Sequence, residues 1–141
     1  MILADVNILI CAFRSDSQTH EGYRNWLESV VNGPEAYGVS PQVLCSFIRI
    51  TTHPRIYNNP SRLEDALAFA RILQDQPHAV QVTPHDNHWT IFESLCKESA
   101  ASGNLIQDAW FAALAIESGC EWITIDRDYA RFKGLRWRPP F

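Results

Sequence analysis

Short apolar segments alternate with amphipathic segments along the chain, and this alternation constrains the fold more than any other feature. Strand-like apolar runs lie at residues 1–5, 36–39, 79–82 and 122–125. Stretches with the i, i+3, i+4, i+7 spacing of helices separate them. Strands that alternate with helices in this way pair mostly in parallel, and the helices pack on the sheet. The sequence therefore predicts an α/β fold around a mostly parallel central sheet.

Capping signals set the expected helix boundaries. Ser40 followed by Pro41 is typical of an N-cap and a first helical position. Ser61 and Glu64 have the spacing of a capping box, and Thr83, which precedes a proline, indicates another helix start. The predicted helices span residues 6–13, 20–31, 41–52, 61–74, 83–102 and 107–117, and an edge strand is predicted at residues 136–137.

The size of the chain suits one domain. Its 141 residues are enough for a single core, and we expect a single domain over residues 1–141. The chain is 46% hydrophobic and 20% charged, which are near the values of ordinary globular proteins. No apolar run approaches the ~20 residues of a membrane-spanning helix, and the N-terminus lacks a signal-peptide pattern. We therefore expect a cytoplasmic protein without a membrane partner.

Positive charge is concentrated near the C-terminus, although the net charge of the chain is −4. Five basic residues and one acidic residue lie between positions 127 and 138, so this basic strip carries +4 and the rest of the chain −8. Its basic members are Arg127, Arg131, Lys133, Arg136 and Arg138. Such a strip can guide a phosphate backbone, although an acidic protein is a poor general binder of nucleic acid. A solvated cationic face is the simpler interpretation, and charge alone favours it.

Four aspartates lie where an apolar segment ends or a helix begins: Asp5, Asp108, Asp126 and Asp128. Acids at the strand ends of a parallel sheet meet at one rim, where such folds place their sites. Like charges held close together raise one another's pKa unless a cation joins them. Carboxylates supply only oxygen ligands, which suit Mg²⁺ or Mn²⁺ rather than zinc. The sequence therefore predicts a divalent-metal site with one or two ions.

Each aspartate also has a purely structural interpretation. Asp5 is a good N-cap for the helix that begins after it. Asp108 is predicted in the first turn of its helix, where the helix dipole favours an acid, although its apolar neighbours favour a functional role. Asp126 and Asp128 suit a turn. In an extended loop both would face one ion, or one would face the ion and the other a basic group.

Phosphodiester hydrolysis is the reaction class that such a metal pocket favours. A divalent ion activates a water molecule and stabilises negative charge on the scissile phosphate. Asn7 lies two residues after Asp5, where it can add local hydrogen bonds. Thr124 lies two residues before Asp126, and we expect it to hold the pocket by hydrogen bonding.

Three stretches of the chain resemble the motifs of one protein family. They are Ile-Leu-Ala-Asp5-Val-Asn7-Ile-Leu, Gly103-Asn104-Leu-Ile-Gln-Asp108-Ala and Thr124-Ile-Asp126-Arg-Asp128-Tyr129-Ala-Arg-Phe132. In this order, and in a chain of this length, they resemble the PIN-domain ribonucleases. The resemblance is closest to the VapC toxins of bacterial type II toxin–antitoxin systems, and it extends over the whole chain.

This resemblance implies a three-layer α/β/α fold with an acidic Mg²⁺ or Mn²⁺ pocket. It implies an endoribonuclease that cuts RNA, often tRNA or rRNA, and thereby inhibits translation. It also implies a homodimer and a VapB-type antitoxin that blocks the pocket. By position, Asp5, Asp108 and Asp126 match the family's catalytic metal-site acids, and Asp128 matches an accessory metal-site acid.

Ser46 is a departure from the family pattern. Many PIN domains carry a glutamate at this place on the helix after the second strand, and a hydroxyl is a weaker metal ligand. The number of ions therefore stays open. Arg49 follows Ser46 on the same helix and contacts an RNA phosphate or a pocket acid, unless it is an ordinary surface arginine. The residues predicted to contact substrate are Arg49, Arg127, Asn7 and Thr124.

Two other functions stay open on the sequence alone. Ser46 is also compatible with a PIN-like module that binds RNA or a partner without cutting it. A small phosphatase of the haloacid-dehalogenase kind is the second alternative, because such enzymes also begin with an aspartate after their first strand. That chemistry expects a second aspartate two residues later, where this chain has Asn7.

Overall fold

A five-stranded parallel sheet forms the centre of the computed structural model, which describes residues 1–141. Its strands are β1 (Ile2–Ala4), β2 (Tyr37–Val39), β3 (Ala79–Gln81), β4 (Glu121–Ile123) and β5 (Trp137–Arg138). They lie in the order β3-β2-β1-β4-β5, and every neighbouring pair is parallel. The predicted α/β fold is therefore confirmed, and the expected edge strand is present one residue further along the chain.

Strand β1 occupies the middle of the sheet, and later strands are added on both of its sides. β2 and β3 lie on one side, and β4 and β5 lie on the other. Sites in parallel α/β sheets form at such a reversal of strand order, beyond the carboxyl ends of the strands. Asp5 and Thr124 directly follow β1 and β4, so they lie where a site is expected.

Six α-helices cover the sheet in a three-layer α/β/α arrangement. They are α1 (Val6–Phe13), α2 (His20–Val31), α3 (Pro41–Thr51), α4 (Leu63–Gln74), α5 (His88–Ser99) and α6 (Asn104–Ser118), and a short 3-10 helix follows at Arg127–Arg131. Helix α1 packs on both α2 and α3, and α3 packs on α4, whereas α5 packs on α6 and α6 packs on β4. None of these helices is both long and apolar enough to cross a membrane.

The start of α4 differs from the prediction. The helix begins at Leu63, and its N-cap residue makes no side-chain capping bond. Ser61 is used instead in a tertiary contact, because its hydroxyl accepts a hydrogen bond from Arg14 Nη1 at 2.9 Å. The predicted capping box of Ser61 and Glu64 is therefore wrong, although the helix itself is present.

Helices α5 and α6 also begin elsewhere than predicted. Helix α5 begins at His88, not near residue 83. The backbone N–H groups of His85 and Asn87 donate to the Glu117 carboxylate, and this holds the preceding segment as a loop. Helix α6 begins four residues before Asp108, which therefore lies beyond the first turn and not within it. The helix dipole acts mainly within the first turn, so it explains this acid less well than expected.

The middle of α6 is buried on all sides and anchors the core. Its buried residues are Ala109, Phe111, Ala112, Ala113, Leu114 and Ala115. Alanine at four of these positions lets neighbouring elements approach the helix closely, and interiors packed at this density tolerate little movement. Asp108 directly precedes this segment, so its backbone is held in a fixed place at the end of the sheet.

A larger side chain within this segment should destabilise the fold. Ala112 is fully buried, and extra methylene groups in a close-packed core typically cost about 1–3 kcal/mol. We expect Ala112→Leu to lower the melting temperature by several degrees in thermal unfolding followed by circular dichroism. Ile106→Leu, at an exposed position of the same helix, is the control and should melt like the wild type. An unchanged melting temperature of Ala112→Leu would contradict this description of the core.

Candidate active site

Three aspartates from distant parts of the chain lie close together at the rim beyond β1 and β4. Asp5 directly follows β1, Asp126 lies three residues after β4, and Asp108 comes from α6. The charges of Asp108 and Asp126 help to raise the pKa of Asp5, and the charge of Asp126 raises the pKa of Asp108. Such effects require short separations. Asp5, Asp108 and Asp126 therefore lie within electrostatic range of one another, and that they share one ion stays a prediction.

Three hydrogen bonds hold the buried carboxylate of Asp5. Its Oδ1 accepts from the backbone N–H of Val6 at 2.6 Å, which is the N-cap bond of α1. Its Oδ2 accepts from Asn7 Nδ2 at 2.9 Å and from Thr124 Oγ1 at 2.6 Å. The N-cap interpretation of Asp5 is therefore confirmed, and the same carboxylate belongs to the acidic group.

Thr124 connects the two strand ends through a single hydroxyl group. Its Oγ1 donates to Asp5, and it accepts from Asn7 Nδ2 at 3.0 Å and from the backbone N–H of Asp126 at 3.0 Å. A threonine hydroxyl has one donor and two acceptor positions, so all of them are used. Thr124 holds the pocket by hydrogen bonding, as expected. Substrate contact by Asn7 or Thr124 stays a prediction.

Burial and mutual repulsion shift the titration of two of these acids. Burial, followed by the charges of Asp108 and Asp126, raises the pKa of Asp5 to about 7, against the lowering effect of the Thr124 and Val6 hydrogen bonds. Burial and the charges of Asp126 and Asp128 raise the pKa of Asp108 to about 6. None of the ion pairs in the protein includes Asp5, Asp108 or Asp126. The three acids therefore have no protein cation as a partner.

Tyr129 contacts Asp108, and the sequence analysis gave it no role although it lies within the third motif. It lies in the 3-10 helix, is 1% exposed, and its hydroxyl donates to Asp108 Oδ1 at 3.4 Å. Burial and the nearby charges of all three acids raise its pKa above the ordinary value, so the hydroxyl stays protonated. An aromatic residue three positions after Asp126, in an otherwise polar turn, is the sequence signal that points to it.

The side chain of Asp128 is exposed and forms no hydrogen bond with the other acids, because the chain after Asp126 is helical and not extended, although its charge still raises the pKa of Asp108. The backbone N–H of Asp128 donates to Asp126 Oδ1 at 2.8 Å, which is a local turn contact. The Asp128 side chain is 59% exposed and pairs with Arg131 at 3.6 Å. The basic partner of the second predicted arrangement is present, whereas contact of Asp126 with an ion stays a prediction. Direct metal contact by Asp128 stays a prediction.

The side chains of the remaining predicted residues form no hydrogen bond or ion pair with the acids. Arg49 is exposed and lines a groove between α3 and α4 together with Leu67 and Arg71. No hydrogen bond joins Ser46 to any aspartate of the pocket. Arg127 is exposed beside Asp126 and forms no ion pair. Contact of Arg49 or Arg127 with substrate stays a prediction.

The basic strip at residues 127–138 is not one continuous surface. Arg136 Nη2 donates to the carbonyl of Gly119 at 2.8 Å, and Arg138 Nε pairs with Glu121 at 3.1 Å. Gly119 and Glu121 lie at the beginning of β4, whereas the aspartates lie beyond its end. The five cations therefore do not form a single path toward the pocket, and Arg127 is the one adjacent to it in sequence.

The donor chemistry of the pocket fits Mg²⁺ or Mn²⁺. In the observed side-chain positions, no three acidic, histidine or cysteine side chains converge closely enough to hold an ion. However, Oδ2 of Asp108 and Oδ2 of Asp126 accept no hydrogen bond, and the buried Oδ1 of Asn7 also has no donor. Unpaired oxygens in an acidic pocket are the ligands that hard divalent cations prefer.

Comparisons with known proteins identify the family. The PIN domain family matches residues 2–135. The chain is 40% identical over 141 residues to the ribonuclease VapC25 of Mycobacterium tuberculosis, and the match covers 99% of each chain. It is 39% identical over 140 residues to a VapC ribonuclease of Mycobacterium bovis, covering 99% of this chain and 95% of that one. The chain belongs to the VapC family of PIN-domain proteins. The resemblance stated from its three motifs is confirmed.

A solved structure agrees with this assignment at the level of the fold. This VapC-family protein is similar to VapBC2 from Rickettsia felis bound to a DNA fragment from their promoter, with a TM-score of 0.70. The match covers 99% of this chain and 98% of that chain at 17% sequence identity. The predicted PIN-like α/β/α fold is therefore confirmed.

Without metal, the protein should lose stability as the pH rises toward 7. The pKa of Asp5 is raised from 3.8 to about 7, so the folded state binds this proton more tightly than the unfolded state does. Folding therefore loses stability between about pH 4 and about pH 7, as the proton is released. Below this window the carboxyl is protonated in both states, and above it the loss is complete.

Asp5→Asn should remove this part of the pH dependence. Asparagine can keep the N-cap bond but carries no charge. A difference of one pKa unit between the folded and unfolded states corresponds to about 1.4 kcal/mol of stability. We expect the stability of the variant relative to the wild type to increase by on the order of 2 kcal/mol as the pH rises from about 4 to about 7, in thermal unfolding with EDTA. Asp86→Asn, at an exposed aspartate outside the pocket, should show no such gain. An Asp5→Asn protein that follows the wild-type pH profile would contradict the electrostatic description.

Proposed function

We propose that this VapC-family protein is a Mg²⁺- or Mn²⁺-dependent endoribonuclease and the toxin of a type II toxin–antitoxin pair. The observation that carries the proposal is the acidic pocket of Asp5, Asp108 and Asp126, which has no basic partner. Relatives at 40% and 39% identity are named ribonucleases, which supports RNA as the substrate. A phosphodiester backbone and a divalent cation complement each other in such a pocket.

The residues of the pocket have separate tasks in this proposal. Asp5, Asp108 and Asp126 hold the ion, directly or through water. Thr124 and Asn7 keep the Asp5 carboxylate in place through the hydrogen bonds described above. When bound, the ion supplies an activated water molecule and stabilises negative charge on the scissile phosphate. The proposal covers one or two ions, because the hydroxyl at position 46 is a weaker ligand than the glutamate of many PIN domains and the number of ions stays open.

Membership of the VapC family supports an antitoxin as the protein partner of this chain. The Rickettsia felis structure is a VapBC complex on promoter DNA, which supports an antitoxin of the VapB type for this chain. In the proposal the antitoxin covers the acidic pocket, and the free toxin acts as a homodimer on tRNA or rRNA and inhibits translation. Co-expression with the antitoxin should therefore relieve growth inhibition by the toxin.

Two alternative functions were open on the sequence, a small phosphatase and a PIN-like module that binds without cutting. Membership of the PIN-domain family over residues 2–135 excludes the haloacid-dehalogenase-like phosphatase. A PIN-like module that binds without cutting is favoured only by Ser46. The unpaired acids argue against that module, because a binding surface for RNA gains nothing from three carboxylates that repel phosphate.

Removing any one acid of the pocket should abolish cleavage and leave the fold intact. Asp5→Asn, Asp108→Asn and Asp126→Asn each delete one charged oxygen ligand, and we expect the rate of RNA cleavage with Mg²⁺ to fall by about 100-fold or more. Cleavage of a total tRNA and rRNA substrate and growth after induction are the measurements. Circular dichroism verifies that each variant is folded.

A matched variant separates the pocket from general charge effects. Asp86→Asn removes one negative charge at an exposed position, and it should cleave RNA and inhibit growth like the wild type. Wild-type cleavage that persists in EDTA, or retained activity in all three pocket variants, would defeat the proposed function.

Arg127 should contribute to RNA binding next to the pocket. It is exposed, follows Asp126 directly and has no ion-pair partner. Arg127→Ala should weaken RNA binding by about 3-fold to 10-fold and lower the slope of log affinity against log salt by about 1. Arg136→Ala is the control, because this arginine is bound to Gly119 at the opposite end of β4. Equal effects of the two variants would contradict the divided basic strip.

A further inference from the structure

A tyrosine supplies the one side-chain hydrogen bond that Asp108 receives. Tyr129 Oη donates to Asp108 Oδ1 at 3.4 Å, and no other side chain bonds to this carboxylate. Asp5 differs, since three donors fix its two oxygens. The orientation of Asp108 therefore depends on a single donor, whereas that of Asp5 does not.

The ring of Tyr129 is held in a column of aromatic side chains. Its centroid lies 5.5 Å from that of Trp122 and 5.8 Å from that of Phe132, and Trp122 in turn stacks on Phe111 at 5.7 Å. Trp122, Phe132 and Phe111 are themselves buried. Aromatic pairs at such distances are attractive, and a buried ring among them has little freedom to move. The hydroxyl is therefore presented to Asp108 from a fixed position.

The hydroxyl of Tyr129 donates to Asp108 and to no other group. With the residue 1% exposed, water cannot replace a lost partner, and Asp108 is the acceptor that the structure provides. A buried hydroxyl without an acceptor is unfavourable, so rotation of Asp108 away from Tyr129 is disfavoured. The 3.4 Å separation is longer than a typical O–H···O bond, which leaves the carboxylate room to move while its direction is kept.

We propose that Tyr129 is a positioning residue that orients Asp108 for binding of the divalent ion. This inference rests on the proposed function, because it assigns Asp108 to an ion. The aromatic ring packs the core, whereas the hydroxyl alone acts on the carboxylate. Partners that orient a metal-binding carboxylate typically change metal affinity by about 10-fold to 100-fold when they are removed, and the long bond here places the effect near the lower limit.

Tyr129→Phe isolates the hydroxyl because it keeps the ring in the column. Tyr37→Phe is a matched control: Tyr37 is also buried, and its hydroxyl donates to the carbonyl of Leu73 at 2.7 Å, at the other end of the sheet. We expect the dissociation constant for Mn²⁺, measured by calorimetry without RNA, to rise by about 3-fold to 10-fold in Tyr129→Phe. Tyr37→Phe should bind Mn²⁺ like the wild type, although both variants melt at lower temperatures.

Cleavage kinetics provide a second readout. Tyr129→Phe should lose activity at low Mn²⁺ concentration and regain most of its kcat when the concentration is raised, with the KM for RNA unchanged. An unchanged dissociation constant for Mn²⁺, or an equal change in Tyr37→Phe, would overturn the inference. A higher KM for RNA with unchanged Mn²⁺ affinity would also overturn it, because Tyr129 would then act on the substrate.

The wild-type protein distinguishes failure of the inference from failure of the proposed function. If the wild type binds neither Mn²⁺ nor Mg²⁺, the proposed function fails and the inference falls with it. If the wild type binds the ion and Tyr129→Phe binds it equally well, only the inference fails. NMR of ring-labelled wild-type protein needs no variant: titration with Mg²⁺ should shift the resonances of Tyr129 and not those of Tyr37. An unshifted Tyr129 under saturating Mg²⁺ would overturn the inference even if Tyr129→Phe did not fold.

Discussion

The parallel pairing of β1 with β4 is the constraint on which the rest of the structure depends. Its register sets Ala4 beside Ile123, and the N–H of Asp5 donates to the Ile123 carbonyl at 2.9 Å. The residues that follow, Asp5 and Thr124, are then in hydrogen-bond contact although 119 positions separate them. A shift of register by one residue would turn the β4 side chains to the other face of the sheet and break this contact. The geometry of the pocket is therefore a consequence of strand pairing.

Strand pairing at this point brings together charges that oppose folding. Burial of the Asp5 carboxylate and repulsion from its neighbours both disfavour the ionised form. The protein does contain a buried basic side chain, Arg14, but this residue pairs with Asp16 and donates to Ser61 and to the Asn59 carbonyl. A chain selected for stability alone would place such a cation beside the acids. Conflicts of this kind between local energetics and fold are expected at functional sites.

Local signals in the sequence predicted the parts of the structure that local interactions decide. Asp5 as N-cap and Ser40 before Pro41 need only neighbouring residues, and both are present as expected. The capping box at Ser61 failed because a tertiary donor, Arg14, competes for the same hydroxyl. Sequence spacing does not reveal such competition. The acids could be predicted as site residues because the carboxyl ends of parallel strands meet at one rim of the sheet. An acid that follows an apolar segment is visible in the sequence without knowledge of the tertiary structure.

The 3-10 helix after Asp126 explains why Tyr129, and not Asp128, is buried next to Asp108. An extended chain would alternate side chains and bring Asp126 and Asp128 to one side, whereas three residues per turn bring Asp126 and Tyr129 to one side. Asp128 is consequently exposed, and Tyr129 is buried against the pocket.

Under the proposed function, exposure of Asp128 and burial of Tyr129 favour binding of an ion by the other three acids. A fourth carboxylate in the interior would add repulsion, whereas a neutral hydroxyl donates to Asp108 and lowers its pKa. The turn thereby limits the negative charge that folding must bury while it keeps each acid available to a cation. The 3-10 geometry of residues 127–131 thus affects both the number of carboxylates in the pocket and the hydrogen bond that Asp108 receives.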